Sequence, residues 1–174
     1  MNEALILVGL LVEVIGQITS ATSETRELLE ESDLNILLTV IGEGLQSIGE
    51  ALQGIGVEDP VISASSYIES AGAGASSFAA WKELMENGEE AIKLGILGDG
   101  LQGLGAALSA EAGDVPVLQL GDSLESIGAT LESIGGVAEL KGEEVHAQHL
   151  AVLGSWLQAT GGLIQLIYLT WEAR

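Results

Sequence analysis

"IGEGLQSIGEALQGIG", residues Ile41–Gly56, has helical periodicity yet carries Gly42, Gly44, Gly49, Gly54 and Gly56. A glycine inside a helix costs roughly 0.8–1 kcal/mol against alanine, so this stretch alone gives up about 4–5 kcal/mol. Read as a heptad, Leu45 and Leu52 fall at a, and Ile41, Ile48 and Ile55 at d, the spacing of a helix-packing seam. Gly42, Gly49 and Gly56 then occupy e, Gly44 and Ala51 occupy g, and Gln, Glu and Ser take b, c and f. Coiled coils usually carry charge at e and g; here those positions are nearly free of side chain, which widens the apolar stripe and lets neighbouring backbones come close. The pattern predicts helices buried by a neighbour on each flank, with the seam in the core and the glutamates outward.

The pattern recurs. "LGDGLQGLGAAL" (Leu97–Leu108) and "LGDSLESIGATL" (Leu120–Leu131) align with Ile41–Leu52 without gaps. "LGSWLQATGGLI" (Leu153–Ile164) follows, with Thr160 replacing the second large apolar residue and Ile164 the last leucine. The copies begin at Ile41, Leu97, Leu120 and Leu153, three unequal intervals. That is too irregular for a solenoid of fixed period, so the repeat is assigned to heptads within helices. The predicted packing residues are Gly42, Leu45, Ile48, Gly49 and Leu52, then Gly98, Leu101, Leu104, Gly105 and Leu108. The third copy supplies Gly121, Leu124, Ile127, Gly128 and Leu131, and the fourth Gly154, Leu157 and Gly161.

Breaks fall at "GVEDP", with Asp59 as N-cap and Pro60 at the first helical position, and at "EAGDVP", with Asp114 and Pro116 in the same logic. "ENGEE" (Glu86–Glu90) and "LKGEE" (Leu140–Glu144) are weaker breaks, Asn87 and Glu90 suiting a cap in the first. Helices are expected near 3–20, 25–57, 61–86, 89–110, 116–140 and 143–172, the second broken or kinked near Ser32-Asp33. The small-residue stretch "SASSYIESAGAGASSFAAW" (Ser63–Trp81) keeps a helical stripe through Tyr67, Ile68, Ala71, Ala75, Phe78 and Trp81. No segment alternates with period two. The expected fold is all-α, a single domain over 1–174 with five or six mostly antiparallel helices and Leu/Ile heptad seams flanked by Gly/Ala.

Composition limits function. The 174 residues are 47% hydrophobic and carry 26 acidic against five basic residues, a net charge of -21. Such a chain forms no phosphate-tracking basic groove, so nucleic acid is excluded as a partner. Without cysteine there are no disulfides, thiolate metal sites or thiol catalysis. The N-terminal apolar run has Glu3 where a signal peptide carries positive charge, and Glu13 interrupts it. It reads as a first helix; the compartment stays open, with a cytoplasmic location favoured as the expectation.

No catalytic constellation emerges. Glu143, His146 and His149 sit three apart on one helix face, but a di-iron bundle needs a second Glu-x-x-His and both histidines are used; no metal site is assigned. "LGILGDGLQGLG" (Leu94–Gly105) has no preceding strand and no Gly-Lys-Ser/Thr, so it is no phosphate loop. Ser123 and Ser126 lack a base, and no catalytic residue or cofactor is predicted. Leu150–Trp171 runs without charge and is long enough to cross a bilayer. Its matching seam makes it the buried central helix of a soluble bundle, with membrane insertion as the alternative.

The hydrophobic-Gly-x-x-Leu-x-x-hydrophobic-Gly motif, above all "LGSWLQATGGLIQLI", resembles the short glycine-rich repetitive proteins of Bacillus-type bacteria, a family of unknown function. The resemblance covers about half of the chain; it implies a compact helical repeat protein and assigns no residue a role. The expected function is a non-enzymatic structural protein that self-associates as a homo-oligomer through Gly-flanked seams. The alternative is an amphipathic lipid- or membrane-interface binder anchored by residues 150–171.

Overall fold

Among the described residues six helices form: α1 (Glu3–Glu27), α2 (Asp33–Gly56), α3 (Pro60–Glu86), α4 (Glu89–Ala112), α5 (Pro116–Leu140) and α6 (Glu144–Glu172). This computed structural model describes residues 1–86 and 88–172. α1 continues through Glu27, past its expected end near residue 20, and the break falls at Ser32-Asp33 as expected, where Ser32 starts α2 by accepting from the Asn35 N–H. Asp59 caps α3 through the Val61 and Ile62 amides, at 2.8 and 3.1 Å, with Pro60 first in the helix as expected. Pro116 likewise opens α5, but its cap position is Val115 rather than Asp114. At "ENGEE" Gly88 holds the cap position of α4; Asn87 lies outside the described residues. Gly142, two residues past the end of α5, closes the helix at φ 76°, where the Gly142 and Glu143 amides turn back on the Glu139 and Ala138 carbonyls. Only glycine adopts that left-handed turn at little cost.

Each helix packs on the helix before and after it in the chain, and α6 closes on α1. The result is a ring of helices with none of the six at its centre. Contacts run antiparallel around it. In α1 and α2, Gly9 faces Gly49 and Gly16 faces Gly42; in α3 and α4, Gly72 faces Gly98; in α5 and α6, Gly128 faces Gly154 and Gly121 faces Gly161. Two of the three alternate interfaces use hydroxyls on backbone carbonyls. Ser77 and Ser70 donate to Val40 and Ser47 across α2–α3, and Ser126 and Ser133 to Gly103 and Ile96 across α4–α5, all at 2.8–3.1 Å.

These pairings expose a repeat that the starting positions of the motif conceal. Gly16, Gly72 and Gly128 stand at equal intervals, and the same interval separates Gly42, Gly98 and Gly154, and Gln46, Gln102 and Gln158. The motif copies at Ile41, Leu97 and Leu153 obey it too; the copy at Leu120 breaks the series because it belongs to the other helix of a hairpin. The chain is three copies of one helical hairpin, arranged around a pseudo-threefold axis.

The ring corrects two expectations. Residues 150–171 do not form a central helix; α6 is one of six staves of the ring. The heptad seam does not face the core either. The close Gly–Gly contacts turn the e flank into the neighbour, so that the d residues point outward and the polar b and f residues inward. Where glycine makes no such contact, it is only a cost. Gly100 is exposed in α4, and the nearest atom a Cβ would meet is the Ser133 hydroxyl at 3.8 Å. Gly100→Ala therefore raises stability by about 0.4–1 kcal/mol, read as a higher midpoint of thermal unfolding.

Candidate functional site

The ring interior is polar. At the threefold-equivalent positions Glu13, Glu69 and Glu125 are all buried, Glu13 to 3% exposure, and converge on the centre with Glu50, 5% exposed. The positions equivalent to Glu50 are Ala106 and Gly162, so one long carboxylate fills space that two small residues leave. No cavity large enough for a water molecule lies between them. The next layer holds Gln17, Gln46, Gln102 and Gln158, and beyond it lie Glu43, Asp99 and Glu132, then Glu24. The column starts at Asp122 on the side of the ring where the chain ends lie. It reaches Glu27, Glu83 and Glu139, again threefold equivalents, at the hairpin tips.

Amides and hydroxyls hold these carboxylates. Gln17 donates to Glu13 at 2.8 Å and to Glu125 at 3.1 Å, linking α1 to α5 through the centre, and Gln53 donates to the other oxygen of Glu13. Glu43 accepts from Ser20 at 2.9 Å, Gln46 at 2.7 Å and Gln102 at 3.3 Å. Ser109 serves Glu69, Ser76 serves Asp99, Gln158 serves Glu132, and Gln165 serves Asp122. Three buried atoms have no partner among the described residues: Gln17 Oε1, Gln46 Oε1 and Glu50 Oε2. All three are acceptors. No described lysine or arginine enters the column.

The outside is the inverse. Val8, Leu11, Ile15 and Ile18 of α1, Ile41, Ile48 and Ile55 of α2, and Leu120, Ile127 and Ile134 of α5 are exposed, with counterparts on every helix. Every described charged residue that is exposed lies in a loop or in the end turns of a helix, from Glu3 and Arg26 on α1 to His149 and Glu172 on α6. Between those ends no charge faces outward. The stretch without an exposed charge is shortest in α4, from Leu94 to Ala110, and runs from Leu34 to Val57 in α2 and from Val115 to Ala138 in α5. At 1.5 Å per residue this belt is about 26–36 Å tall. Two of its exposed threonines, Thr22 and Thr160, turn their hydroxyls back onto the carbonyls of Ile18 and Trp156 at 2.7 Å. Trp81 and Trp171 stand near opposite edges of the belt.

The residues predicted from the motif divide by their heptad position. Gly42, Gly49, Gly98, Gly105, Gly121, Gly128, Gly154 and Gly161 are all buried at helix contacts. Leu45, Leu52, Leu101, Leu124, Leu131 and Leu157 are half-buried on the sides of their helices. Ile48, Leu104, Leu108 and Ile127 are exposed, Ile48 to 56% and Ile127 to 53%, and leave the core to the glutamates expected outside. The physical reason is room: with backbones touching at glycine, only the long polar side chains of the inner face remain to fill the axis. His146 and His149 lie exposed at the start of α6. Among the described residues no three carboxylate or imidazole groups are disposed to hold a metal ion.

Fold and column together define a closed ring of helical hairpins with a sealed polar axis and an apolar rim. Residues 4–166 match a family of unknown function, DUF6944, and the chain belongs to that family. No curated protein and no solved structure matches it.

Proposed function

We propose that this protein is a non-enzymatic, membrane-embedded ring, its apolar belt against lipid and its acidic column shielded from hydrocarbon. The observation that carries this reading is the inverted polarity: large aliphatic side chains outside, carboxylates and amides inside. In water that arrangement exposes apolar area and buries charge, both unfavourable. In a bilayer both signs reverse, because ionisable groups face the bundle interior and apolar ones the lipid. The belt height agrees with a hydrocarbon core of about 30 Å.

Packing supports it as well. Membrane helices associate through small residues that let backbones meet, and the Gly–Gly pairs of the three hairpins are of that kind. α1 and α6 are long and apolar enough to cross by composition alone. The other four carry their polar residues on the inward face, which lowers their mean hydropathy without altering what lipid would touch. Arg26, Lys82, Lys93 and Lys141 all stand at the hairpin-tip side, which the positive-inside rule places in the cytoplasm.

Lipid quenching tests the reading. Trp81, Trp156 and Trp171 are exposed on the belt, and they are all the tryptophans in the chain. In phosphatidylcholine vesicles with brominated acyl chains their fluorescence should fall by more than half relative to unbrominated vesicles. Unquenched emission from protein that stays in the supernatant, as a monomer or a self-associated oligomer, overturns the membrane reading in favour of a soluble assembly.

A further inference from the structure

We propose that the polar column is a proton path through the ring, an inference that rests on the membrane reading above. Carboxylates succeed one another along it, from Asp122 through the Glu13–Glu50–Glu69–Glu125 cluster and the Glu43–Asp99–Glu132 layer to Glu24 and the tip residues. A row of acids is by itself no site. The second observation is the hydrogen inventory. Glu50, nine-tenths and more buried, lines the central cluster and leaves Oε2 with no donor, and Gln17 and Gln46 each leave an oxygen in the same state.

The interior is thus short of hydrogens and not of oxygens. A glutamine amide already gives both hydrogens and a carboxylate has none, so only an added proton, making a carboxylic acid, supplies the missing donor. The other cations fit less well. The centre has no room for a water, hence none for a hydrated ion, and no described group is disposed to chelate a metal. Chains of Asp and Glu in membrane interiors serve as proton relays.

The step is simple in balance. A proton from one face forms an O–H bond on a carboxylate oxygen; that acid donates to the next acceptor, its O–H bond breaks, and the carboxylate is restored. Net transfer is one H⁺ from face to face, with nothing oxidised or reduced. Glutamines and serines orient the oxygens between transfers, as Gln17 does for Glu13 and Glu125.

The experiment uses the full chain in phosphatidylcholine vesicles containing a trapped pH-sensitive dye, with valinomycin and potassium to clamp the potential. Flotation and circular dichroism on the same vesicles report insertion and helix content. Inserted protein should collapse a pH gradient at least tenfold faster than empty vesicles, with sodium entry unchanged. The triple variant Glu13→Gln, Glu69→Gln, Glu125→Gln, and separately Glu50→Gln, should lose at least nine-tenths of that rate while still inserted and helical; the single variant serves if the triple does not fold. Inserted wild type no faster than empty vesicles, inserted Gln variants at the wild-type rate, or sodium entry that rises with proton entry would each overturn the proton path and leave the membrane ring standing. Failure of the wild type to float with vesicles brings down both.

Discussion

Gly49→Leu will abolish the closed ring: the variant should lose its cooperative unfolding transition and elute as an expanded or aggregated species. A Cβ at Gly49 would stand 2.6 Å from the Glu13 amide nitrogen and 2.6 Å from the Gly9 carbonyl oxygen. Both are backbone atoms of a helix held along its length, so relief requires α1 to move away bodily. Adding methylenes to a well-packed site ordinarily costs about 1–3 kcal/mol, and the upper part of that range applies to Gly49→Ala, where the first added carbon already meets main chain. The alanine helix gain of about 0.8–1 kcal/mol offsets only part of it. Leucine adds three more carbons in the same place. Unchanged size and melting in Gly49→Leu would mean that α1 and α2 do not meet as described, and the contrast with Gly100→Ala makes position rather than glycine content the variable.

Ile127→Lys has a comparable effect by a different route. Ile127 lies midway along α5, more than half exposed, in a belt without charge. In a bilayer, a lysine at the centre of a helix costs about 2.5–3.5 kcal/mol in insertion. The membrane-integrated fraction should fall accordingly, measured by flotation or carbonate extraction, while Glu89→Lys at the hairpin tips leaves it unchanged. If the belt faced water, Ile127→Lys would be neutral and would improve solubility. A soluble, monodisperse Ile127→Lys protein of wild-type stability therefore counts against the lipid-facing belt.

Much of the helical framework was legible in the chain. Periodicity, Pro60 and Pro116, and the Asp59 cap mark six helices nearly where they stand, because these signals are local. The facing of the helices was not local. A heptad with glycine at e and g has two stripes that can serve as contact, the aliphatic one and the glycine one, and water as the assumed solvent selects the first. The glycine stripe wins here because Gly16 on Gly42 and Gly128 on Gly154 bring the backbones together, and each pair needs the register of both helices to be seen. One signal did carry the site: Glu13, Glu69 and Glu125, like the three glutamines from Gln46, recur at one fixed interval. Counting from one hairpin to the next, rather than from one motif copy to the next, would have shown three polar residues fated to meet on an axis.

The single Glu50 among its equivalents Ala106 and Gly162 has a consequence for how such a ring can be made. Three identical hairpins of this kind, associating as a homotrimer, would set three copies of Glu50 beside the three equivalent carboxylates of Glu13, Glu69 and Glu125, six glutamates in a space where Ala106 and Gly162 leave room for four. A trimer would have to keep that position small on every subunit and forgo the group. Joining the hairpins into one polypeptide removes the constraint: one copy grows a carboxylate, the others shrink to receive it, and the axis becomes chemically directional around its circumference. Covalent linkage thus supplies asymmetry where exact symmetry would forbid a fourth central carboxylate.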